Sequence, residues 1–398
     1  MNWKTTAVLL IALGIALTGC PKEDLVARDQ AAQALQRAEQ ALGRIEALEQ
    51  AEDPGAAGHY NVMDFGAVAD GVTDCTEAFQ NALNKAAEEG GGIVSVPRGK
   101  FLIASHLVIP ESVTLEGIWR VPTSPDPHEE GTCLLAVENK GNADGDPFIL
   151  LKTNATIKGI NVFYPEQVMS LEPHPYPWCI AGDGVSVNII DCTLVNPYQG
   201  VDFGTRFAPR HRILNLYGQP LLKGIYVNRC YDLGRIENVH FWPFWSGPDR
   251  SKPAAQFTKQ HGTAFIMEKT DGQMLVNCFC ILYNVGLRFS PGVVGQFEDG
   301  SDRVEPGSAW LTGCYFDESE TAVVIDGVQK YSGISFVNRQ FMRKVVVMPT
   351  NKGEVKFTGC GFWPEGNLPS HAVLEGQGSV LFEACHFSGW DRAREGAA

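Results

Sequence analysis

A pattern of apolar and polar residues recurs between residues 187 and 387. Apolar residues usually stand at its first, third and last places, and the sixth place is usually cysteine. Copies occur at residues 187–194, 234–241, 273–280, 309–316, 355–362 and 380–387. Apolar places that alternate with polar ones predict short, half-buried strands. A strand pattern of constant length, repeated at unequal intervals along the chain, predicts a solenoid with loops of variable length between its strands.

A second, shorter pattern follows the first one along the chain. It consists of glycine, an apolar residue, a variable residue and another apolar residue, at 200–203, 224–227 and 286–289. The variable third place should face away from the core, because the side chains of a strand alternate between its two faces. Asp202, Tyr226 and Arg288 are therefore expected to form an outward column.

The first twenty residues predict export and a lipid anchor. Lys4 precedes an apolar run at residues 7–17, which is too short to span a bilayer comfortably and is typical of a signal peptide. Leu17-Thr18-Gly19-Cys20 resembles the bacterial lipobox, whose cysteine becomes lipidated. An ordinary signal peptide with a chance cysteine is the alternative. We expect a signal peptide at 1–19, lipidation at Cys20 and a membrane-anchored lipoprotein that faces the periplasm or the cell surface.

Residues 20–53 are expected to form a stem. Residues 24–52 are rich in Ala, Gln, Glu and Leu, which favour helix, and apolar residues recur there every seven places. This narrow stripe predicts a coiled-coil-like helix that ends at Asp53-Pro54-Gly55. Small seam residues make self-association weak, so a solitary spacer and a homo-oligomer formed through the stem are both left open. Residues 54–398 are expected to form one domain.

The start of this domain carries a family resemblance. Residues 61–74 read Asn-Val-Met-Asp-Phe-Gly-Ala-Val-Ala-Asp-Gly-Val-Thr-Asp, an amphipathic helix is predicted at 76–89, and Gly90-Gly91-Gly92 precedes a strand and turn at 93–103. This stretch resembles the opening of the pectate lyase superfamily, or pectin-lyase-like proteins. The resemblance implies an all-β fold, a right-handed single-stranded parallel β-helix whose N-terminal end is capped by the helix.

Composition bears on partners and on the cysteines. Lys and Arg total 32 against 46 Asp and Glu, a formal net charge of −14. This balance argues against a nucleic-acid partner, because phosphate binding needs clustered cations. The sequence contains no Cys-x-x-Cys pair, the spacing that would suggest a zinc site. Export would permit disulfides, but small buried thiols pack well, so we expect a reduced inward column. Its members are Cys192, Cys278, Cys314, Cys360 and Cys385.

Residues 196–246 combine carboxylates with aromatic side chains. This combination suits a carbohydrate site, because the C–H faces of sugars stack on aromatic rings while hydroxyls take polar partners. A solvated outer face is the alternative for any single residue. The catalytic candidates are Asp202, Asp232, Glu237 and His240. The substrate-binding candidates are Glu166, Tyr198, Tyr226, Arg235, Trp242, Trp245 and Arg288.

Two kinds of chemistry are open to these candidates. Glycoside hydrolysis needs two carboxyl groups, which Asp202 with Glu237, or Asp232 with Glu237, could supply. A lyase needs a base that takes the C5 proton and a cation that holds the uronate. Those roles are open to Arg235, Arg288, His240 and Tyr226.

The motifs of polygalacturonase-like enzymes are not reproduced. Gly182-Asp183-Gly184 lacks the second Asp of an Asp-Asp pair, Gln260-His261-Gly262 lacks the first Gly of Gly-His-Gly, and Arg235-Ile236-Glu237 has an acid where Lys would stand. No residue role is therefore carried over from that branch. Residues 142–146, Asn-Ala-Asp-Gly-Asp, alternate oxygen ligands but lack a completing Glu. We expect no cofactor and no metal site, with calcium as the alternative.

Three functions are open on this basis. The first is an exported, membrane-anchored carbohydrate-active protein that acts on an acidic polysaccharide by hydrolysis or β-elimination along an exposed face of the β-helix. The second is a non-catalytic module that binds polysaccharide or builds a cell-envelope structure. The third is a trimer like a phage tailspike or an adhesin, against which the lipobox argues.

Overall fold

The chain divides into two compact units, Met1–Ala57 and Gly58–Ala398. The computed structural model describes residues 36, 37, 40, 58–123, 130–246, 249, 251–363 and 369–389. The predicted signal peptide, Cys20 and most of the predicted stem lie outside these residues. Among the residues described, no helix is long and apolar enough to cross a membrane.

The second unit is built from parallel strands that stack coil upon coil. Sheet A contains β1 (His59–Asn61), β2 (Asp70–Asp74), β3 (Gly92–Ser95), β4 (Gly99–Ile103), β6 (Val113–Glu116), β7 (Thr132–Ala136), β9 (Thr156–Lys158), β10 (Asn161–Phe163), β12 (Asn188–Val195), β14 (Arg212–Gly218), β16 (Arg235–Phe241), β18 (Gln273–Val276), β19 (Phe279–Ile281), β23 (Ala309–Thr312), β24 (Tyr315–Asp317), β26 (Ile334–Val337), β27 (Gln340–Phe341), β29 (Val355–Thr358), β30 (Gly361–Phe362), β32 (Val380–Glu383) and β33 (His386–Phe387). Sheet B contains β5 (Leu107–Ile109), β8 (Ile149–Lys152), β11 (Trp178–Asp183), β13 (Gln199–Phe203), β15 (Lys223–Val227), β17 (Thr263–Met267), β20 (Val285–Phe289), β25 (Thr321–Ile325), β28 (Val345–Val347) and β31 (Ala372–Leu374).

Sheet A bends along its length into two rows of strands. Row 1 begins with β1, β3 and β6, and row 2 begins with β2, β4 and β7. The longer strands β12, β14 and β16 run through the corner between the rows. Each full coil therefore passes through row 1, row 2 and sheet B before the next coil begins. The predicted all-β parallel β-helix is confirmed.

The corner between the two rows has left-handed backbone in coil after coil. Asn, Asp and Gly tolerate this conformation better than other residues. The corner residues are Gly159, Asp191, Asn215, Asn238, Asn277, Gly313, Asn338, Gly359 and Ala384. Their side chains also link the coils: Asn215 Nδ2 donates to Asp191 Oδ1 at 2.6 Å, and Asn238 Nδ2 donates to Asn215 Oδ1 at 2.7 Å.

The predicted cysteine column lies immediately after this corner and points into the core. Cys192, Cys278, Cys314 and Cys360 are buried, and Cys385 is half-buried in the last coil. The ten described cysteines are free thiols. Burial raises the pKa of the Cys192 thiol to about 12, so this thiol is protonated and packs as a small apolar group.

One coil places arginine where the others place cysteine. Residues 334–341 form a copy of the repeat that the cysteine pattern did not reveal, and Arg339 is only 1% exposed within it. Its guanidinium carbon lies 3.6 Å from the Phe316 ring centroid and 4.6 Å from that of Phe341. Burial lowers the pKa of Arg339 to about 10. Stacking on aromatic faces offsets part of the desolvation of this cation, whose three guanidinium nitrogens have no hydrogen-bond partner among the described residues.

The N-terminal end of the stack is covered by the predicted helix, α1 (Thr76–Glu88). Its buried face includes Phe79 and Leu83, and it packs against β1, β3, β5 and β6. The Phe79 ring meets that of Phe101 edge-on, with centroids 5.4 Å apart. Two inserted elements were not predicted. They are α2 (Pro253–His261), and a hairpin that pairs β21 (Gly292–Gln296) with β22 (Asp302–Glu305).

The corner ladder can be tested at Asn215. Asn215→Ala removes both of its ladder hydrogen bonds and places alanine at a φ of 57°. We expect the free energy of unfolding to fall by about 2–3 kcal/mol, as measured by urea denaturation. Asn215→Gly keeps the backbone unstrained and should lose only about 1 kcal/mol. The control is Arg212→Ala, at an exposed position of the same strand; an equal loss there would contradict the ladder's role.

Candidate functional site

The outer face of sheet B aligns side chains from successive coils. The register places Asp202 beside Tyr226, Tyr226 beside Ile266, and Ile266 beside Arg288. The predicted column therefore exists, with Ile266 inserted in it. Glu268, which directly follows β17, lies near the same face. Loops connect the strands of sheet B to those of sheet A, and α2 is inserted directly before β17.

Tyr226 lies at the centre of a group of polar and aromatic side chains. Its hydroxyl donates a hydrogen bond to Glu268 Oε2 at 2.8 Å. Its ring stacks on Trp178, with centroids 6.2 Å apart and ring planes at 18°. Lys223 Nζ lies 5.5 Å from the Trp178 centroid. We call Trp178, Lys223, Tyr226 and Glu268 the Tyr226 site.

Burial sets the protonation of the hydrogen-bonded pair. Burial raises the pKa of Glu268 above its ordinary value, and the Tyr226 hydroxyl opposes part of this rise. Burial also raises the pKa of Tyr226 far above its ordinary value, and the charge of Glu268 adds to the rise. The phenol therefore keeps its proton and donates it in a hydrogen bond to Glu268. The carboxylate is a stronger base than an exposed glutamate, and it is already aligned with that donor.

The backbone below Tyr226 is held in place on the adjacent coil. A β-carbon at Gly204 would lie 2.4 Å from a Tyr226 ring carbon, so only glycine lets the ring lie this close. Arg229 donates hydrogen bonds to the carbonyl oxygens of Gly204 and Thr205. Asp202 Oδ1 accepts from the backbone N–H groups of the same two residues, each at 2.8 Å. The segment is thus fixed from both directions.

These contacts correct the expectation for Asp202. It occupies the outward column but is only 1% exposed, because its carboxylate turns back to cap the loop that follows β13. It does not pair with Glu237 either. Asp202 lies in sheet B, whereas Glu237 lies in β16 of sheet A, beside Leu214 and Val276. The two carboxylates belong to different faces of the coil, so this predicted hydrolytic pair is wrong.

Arg288 and Asp232 also have nearby partners. Arg288 Nε donates to Asp326 Oδ2 at 2.7 Å, and Ser290 Oγ donates to the same oxygen at 2.6 Å. The charge of Arg288 is therefore largely met by Asp326. Asp232 is exposed in the loop before β16, where its Oδ2 lies 3.8 Å from Arg210 Nε.

His240 belongs to an aromatic ladder on row 2. Its ring lies 5.5 Å from Tyr217 and 4.6 Å from Phe279, centroid to centroid. The ladder continues to Tyr315 at one end and to Trp119 at the other. Burial lowers the pKa of His240, which favours the neutral imidazole. Rings stacked in this way cover one another's faces. The ladder therefore covers the outside of row 2, and its ring faces are not open to a sugar.

The remaining candidates are scattered around the coil. Arg235 is exposed and donates from Nη1 to the Leu233 carbonyl. The Tyr198 ring lies 6.1 Å from that of Phe257 in α2. Glu166 is exposed and pairs with Lys140 at 3.1 Å. Trp242 and Trp245 both contact Phe244, and Trp245 Nε1 is buried with no hydrogen-bond partner within the described part of the chain.

The possible calcium sequence contains a hydrogen-bonded turn. Asn142 Oδ1 accepts a hydrogen bond from the backbone N–H of Asp144 at 3.0 Å. Across the described ranges, no three His, Cys, Asp or Glu side chains are grouped closely enough to hold a metal ion.

Three members of the Tyr226 site were missed from the sequence: Trp178, Lys223 and Glu268. Glu268 follows residues 264–267, Ala-Phe-Ile-Met, a copy of the short pattern in which alanine replaces glycine. Accepting any small residue at the first place would have revealed it. Trp178 opens a strand without such a residue, so only the register that sets it beside Gln199, and Gln199 beside Lys223, brings it to Tyr226.

Comparisons with known proteins agree with the resemblance at the start of the domain. Residues 59–170 match a family described as rhamnogalacturonase A/epimerase, pectate lyase-like. Alginate lyase 7 of Azotobacter vinelandii is 49% identical over 45 residues, which cover 11% of this chain and 5% of that protein. The matched part is thus a small fraction of that relative.

Two solved structures align along most of the chain at low identity. The mannuronan C-5 epimerase AlgE4 A-module of Azotobacter vinelandii has a TM-score of 0.49 and 13% identity, over 82% of this chain and 95% of that one. The surface protein and adhesin PfbA of Streptococcus pneumoniae has a TM-score of 0.47 and 14% identity, over 83% and 97% respectively.

The buried carboxyl group at the centre of the site predicts a pH effect on stability. The pKa of Glu268 in the folded protein lies above its ordinary value of 4.5. The unfolded chain therefore loses this proton first, and stability falls as pH rises from the ordinary pKa through the folded one. Glu268→Gln removes this titration. We expect the variant to gain stability relative to the wild-type chain between about pH 4 and about pH 7, as measured by urea denaturation.

The matched control is Glu237→Gln, which removes a carboxylate on sheet A. The difference in the free energy of unfolding between Glu268→Gln and wild type should change with pH. The same difference at both pH values would contradict the burial of the Glu268 charge.

Proposed function

We propose that this chain, which resembles the pectate lyase superfamily and matches its rhamnogalacturonase A/epimerase branch over residues 59–170, binds an acidic polysaccharide across sheet B and modifies it by β-elimination. The observation that carries the proposal is the hydrogen bond between Tyr226 and Glu268, beside an aromatic ring and a lysine. The names of the relatives, which include alginate lyase 7, support a polysaccharide substrate.

The binding half of the proposal rests on Trp178 and Lys223. The Trp178 side chain is half-buried, with one side against Tyr226, and its open part offers apolar surface to the C–H groups of a sugar. The Lys223 ammonium lies over that ring, and within the described residues no carboxylate forms an ion pair with it. A uronate ring that stacks on the indole would bring its carboxylate to this cation. Acidic sugars are therefore favoured over neutral ones.

The chemical half rests on the protonation of the pair. Glu268 takes the C5 proton of the uronate, the electrons of that C–H bond form the C4=C5 double bond, and the C4–O bond breaks. Tyr226 gives its proton to the departing oxygen. The hydrogen bond between the two residues then returns the proton from Glu268 to Tyr226, so the site is reset without another group.

Hydrolysis fits the face less well. It needs a second carboxyl group free to act on the sugar. Asp326 is bound by Arg288, Asp183 is bound by Lys152, and Asp202 caps a loop. Because these acidic groups are already bound, they also favour the second candidate function, a binding module without catalysis. In such a module Tyr226 and Glu268 would only form a rigid part of the binding surface.

Activity variants separate these functions. Tyr226→Phe and Glu268→Gln should each lower the rate of unsaturated-uronate formation by about a hundredfold or more, because each removes one proton-transfer partner. The measurement is ultraviolet absorbance of the unsaturated product, with alginate, mannuronan and polygalacturonate as separate substrates. Glu237→Gln, on sheet A, should leave the rate unchanged.

The outcomes are distinct. New reducing ends without ultraviolet absorbance would show that the reaction is hydrolysis and not elimination. Binding without either product would support the second candidate function. Full activity in both the Tyr226→Phe and Glu268→Gln variants would contradict the assignment of the site.

We also propose that the protein acts while anchored to a membrane through a lipidated Cys20, in the periplasm or at the cell surface. The support is the sequence Leu17-Thr18-Gly19-Cys20 after an apolar run. Cys20→Ser should abolish incorporation of labelled palmitate in expressing bacteria and should move the protein from the membrane to the soluble fraction. Cys75→Ser, at a buried thiol, is the control. Palmitate labelling that persists in Cys20→Ser would contradict the anchor.

A further inference from the structure

Two exposed aromatic side chains lie on neighbouring loops beside the Tyr226 site. Phe207 is 45% exposed in the loop after β13, and Tyr231 is 42% exposed in the loop after β15. Their ring centroids lie 6.3 Å apart, with the planes at 37°. The two loops belong to consecutive coils, since β13 and β15 are neighbours in sheet B. The rings thus form one small apolar surface.

The loops that carry these rings are held firmly. Arg229, two residues before Tyr231, binds the carbonyl oxygens of Gly204 and Thr205 in the other loop. The Phe207 carbonyl accepts from the backbone N–H of Gly184 at 3.0 Å. Lys269, whose side chain is only 8% exposed, places its ammonium 5.7 Å from the Tyr231 centroid and is paired with Asp271. The rings are therefore supported from below, while a large part of each stays open.

This surface continues directly from the Tyr226 site. The Tyr226 ring lies against Gly204, and Phe207 is three residues further along the same loop. An exposed ion pair between Arg210 and Asp232 spans the same two loops and gives the apolar surface a polar edge. An apolar face with a polar edge is the arrangement that a pyranose ring fits, because the ring has C–H faces and hydroxyl edges.

We propose that Phe207 and Tyr231 form a further sugar-binding subsite, which takes the C–H face of a pyranose ring in the same polysaccharide chain that crosses the Tyr226 site. This inference rests on the proposed function, because the chain must first lie across sheet B. It adds that the protein recognises a chain longer than the sugars that contact the Tyr226 site. We expect ring stacking to dominate recognition at this subsite, since Lys269, Arg210 and Arg229 beside it are already paired or bound to carbonyl groups.

The test compares short and long fragments of one polymer. Trisaccharides and hexasaccharides of mannuronan, and in separate titrations of polygalacturonate, are titrated by calorimetry into Glu268→Gln, in which elimination is blocked. The same titrations are made into Glu268→Gln that also carries Phe207→Ala/Tyr231→Ala, the double variant. We expect the hexasaccharide to bind the double variant about tenfold more weakly, which corresponds to about 1.4 kcal/mol. The trisaccharide should bind both proteins equally. Because both side chains are exposed, the variant should fold.

The control is Trp310→Ala, an exposed aromatic residue in β23 of sheet A, which should leave both affinities unchanged. Unchanged hexasaccharide affinity in the double variant, with elimination still lost in Tyr226→Phe, would overturn the subsite and leave the proposed function standing. Binding of neither polymer by Glu268→Gln with both rings intact would overturn both. A change of oligomeric state in the double variant, seen by light scattering, would assign the rings to a contact with a second copy and overturn the subsite.

Discussion

The stacking of parallel strands in register is the constraint on which every other feature depends. The strand residues of a coil form backbone hydrogen bonds with the coils on either side, so a residue's place in one strand fixes its neighbours in the next coil. The corner between rows 1 and 2 keeps that register, because left-handed Asn and Gly residues recur there and the amides of Asn215 and Asn238 link one coil to another. Columns of side chains inside and outside the coil follow from this arrangement.

The inner columns and the outer columns obey different physical rules. Inside, any group that is small or well packed can stand in the column, so Cys278, Val239 and even Arg339 occupy equivalent places. Arg339 is tolerated because aromatic faces surround its guanidinium. Outside, the identity of a residue depends on what lies beside it, and this is why Tyr226 and Glu268, forty-two residues apart in the sequence, form one hydrogen-bonded pair.

The strands, the inward cysteines and the outer column could be predicted because each follows from a short local pattern in the sequence. Glu268 is hidden from the strict pattern because alanine replaces its glycine, and Arg339 is hidden because it replaces the cysteine that defines the repeat. The pairing of Asp202 with Glu237 failed for a different reason. The two residues belong to the same stretch of sequence, but Asp202 lies in sheet B and Glu237 lies in sheet A, two coils further along. The direction in which Asp202 turns depends on its loop, and no strand pattern contains that information.

The central claim is that acidic polysaccharide lies on sheet B and not on the aromatic ladder of row 2. A crystal structure with a bound uronate oligosaccharide tests this claim most directly. The account predicts a sugar ring on Trp178 with its carboxylate at Lys223 and its C5 facing Glu268. Ligand density against Tyr217, His240 and Phe279, with sheet B empty, would contradict it.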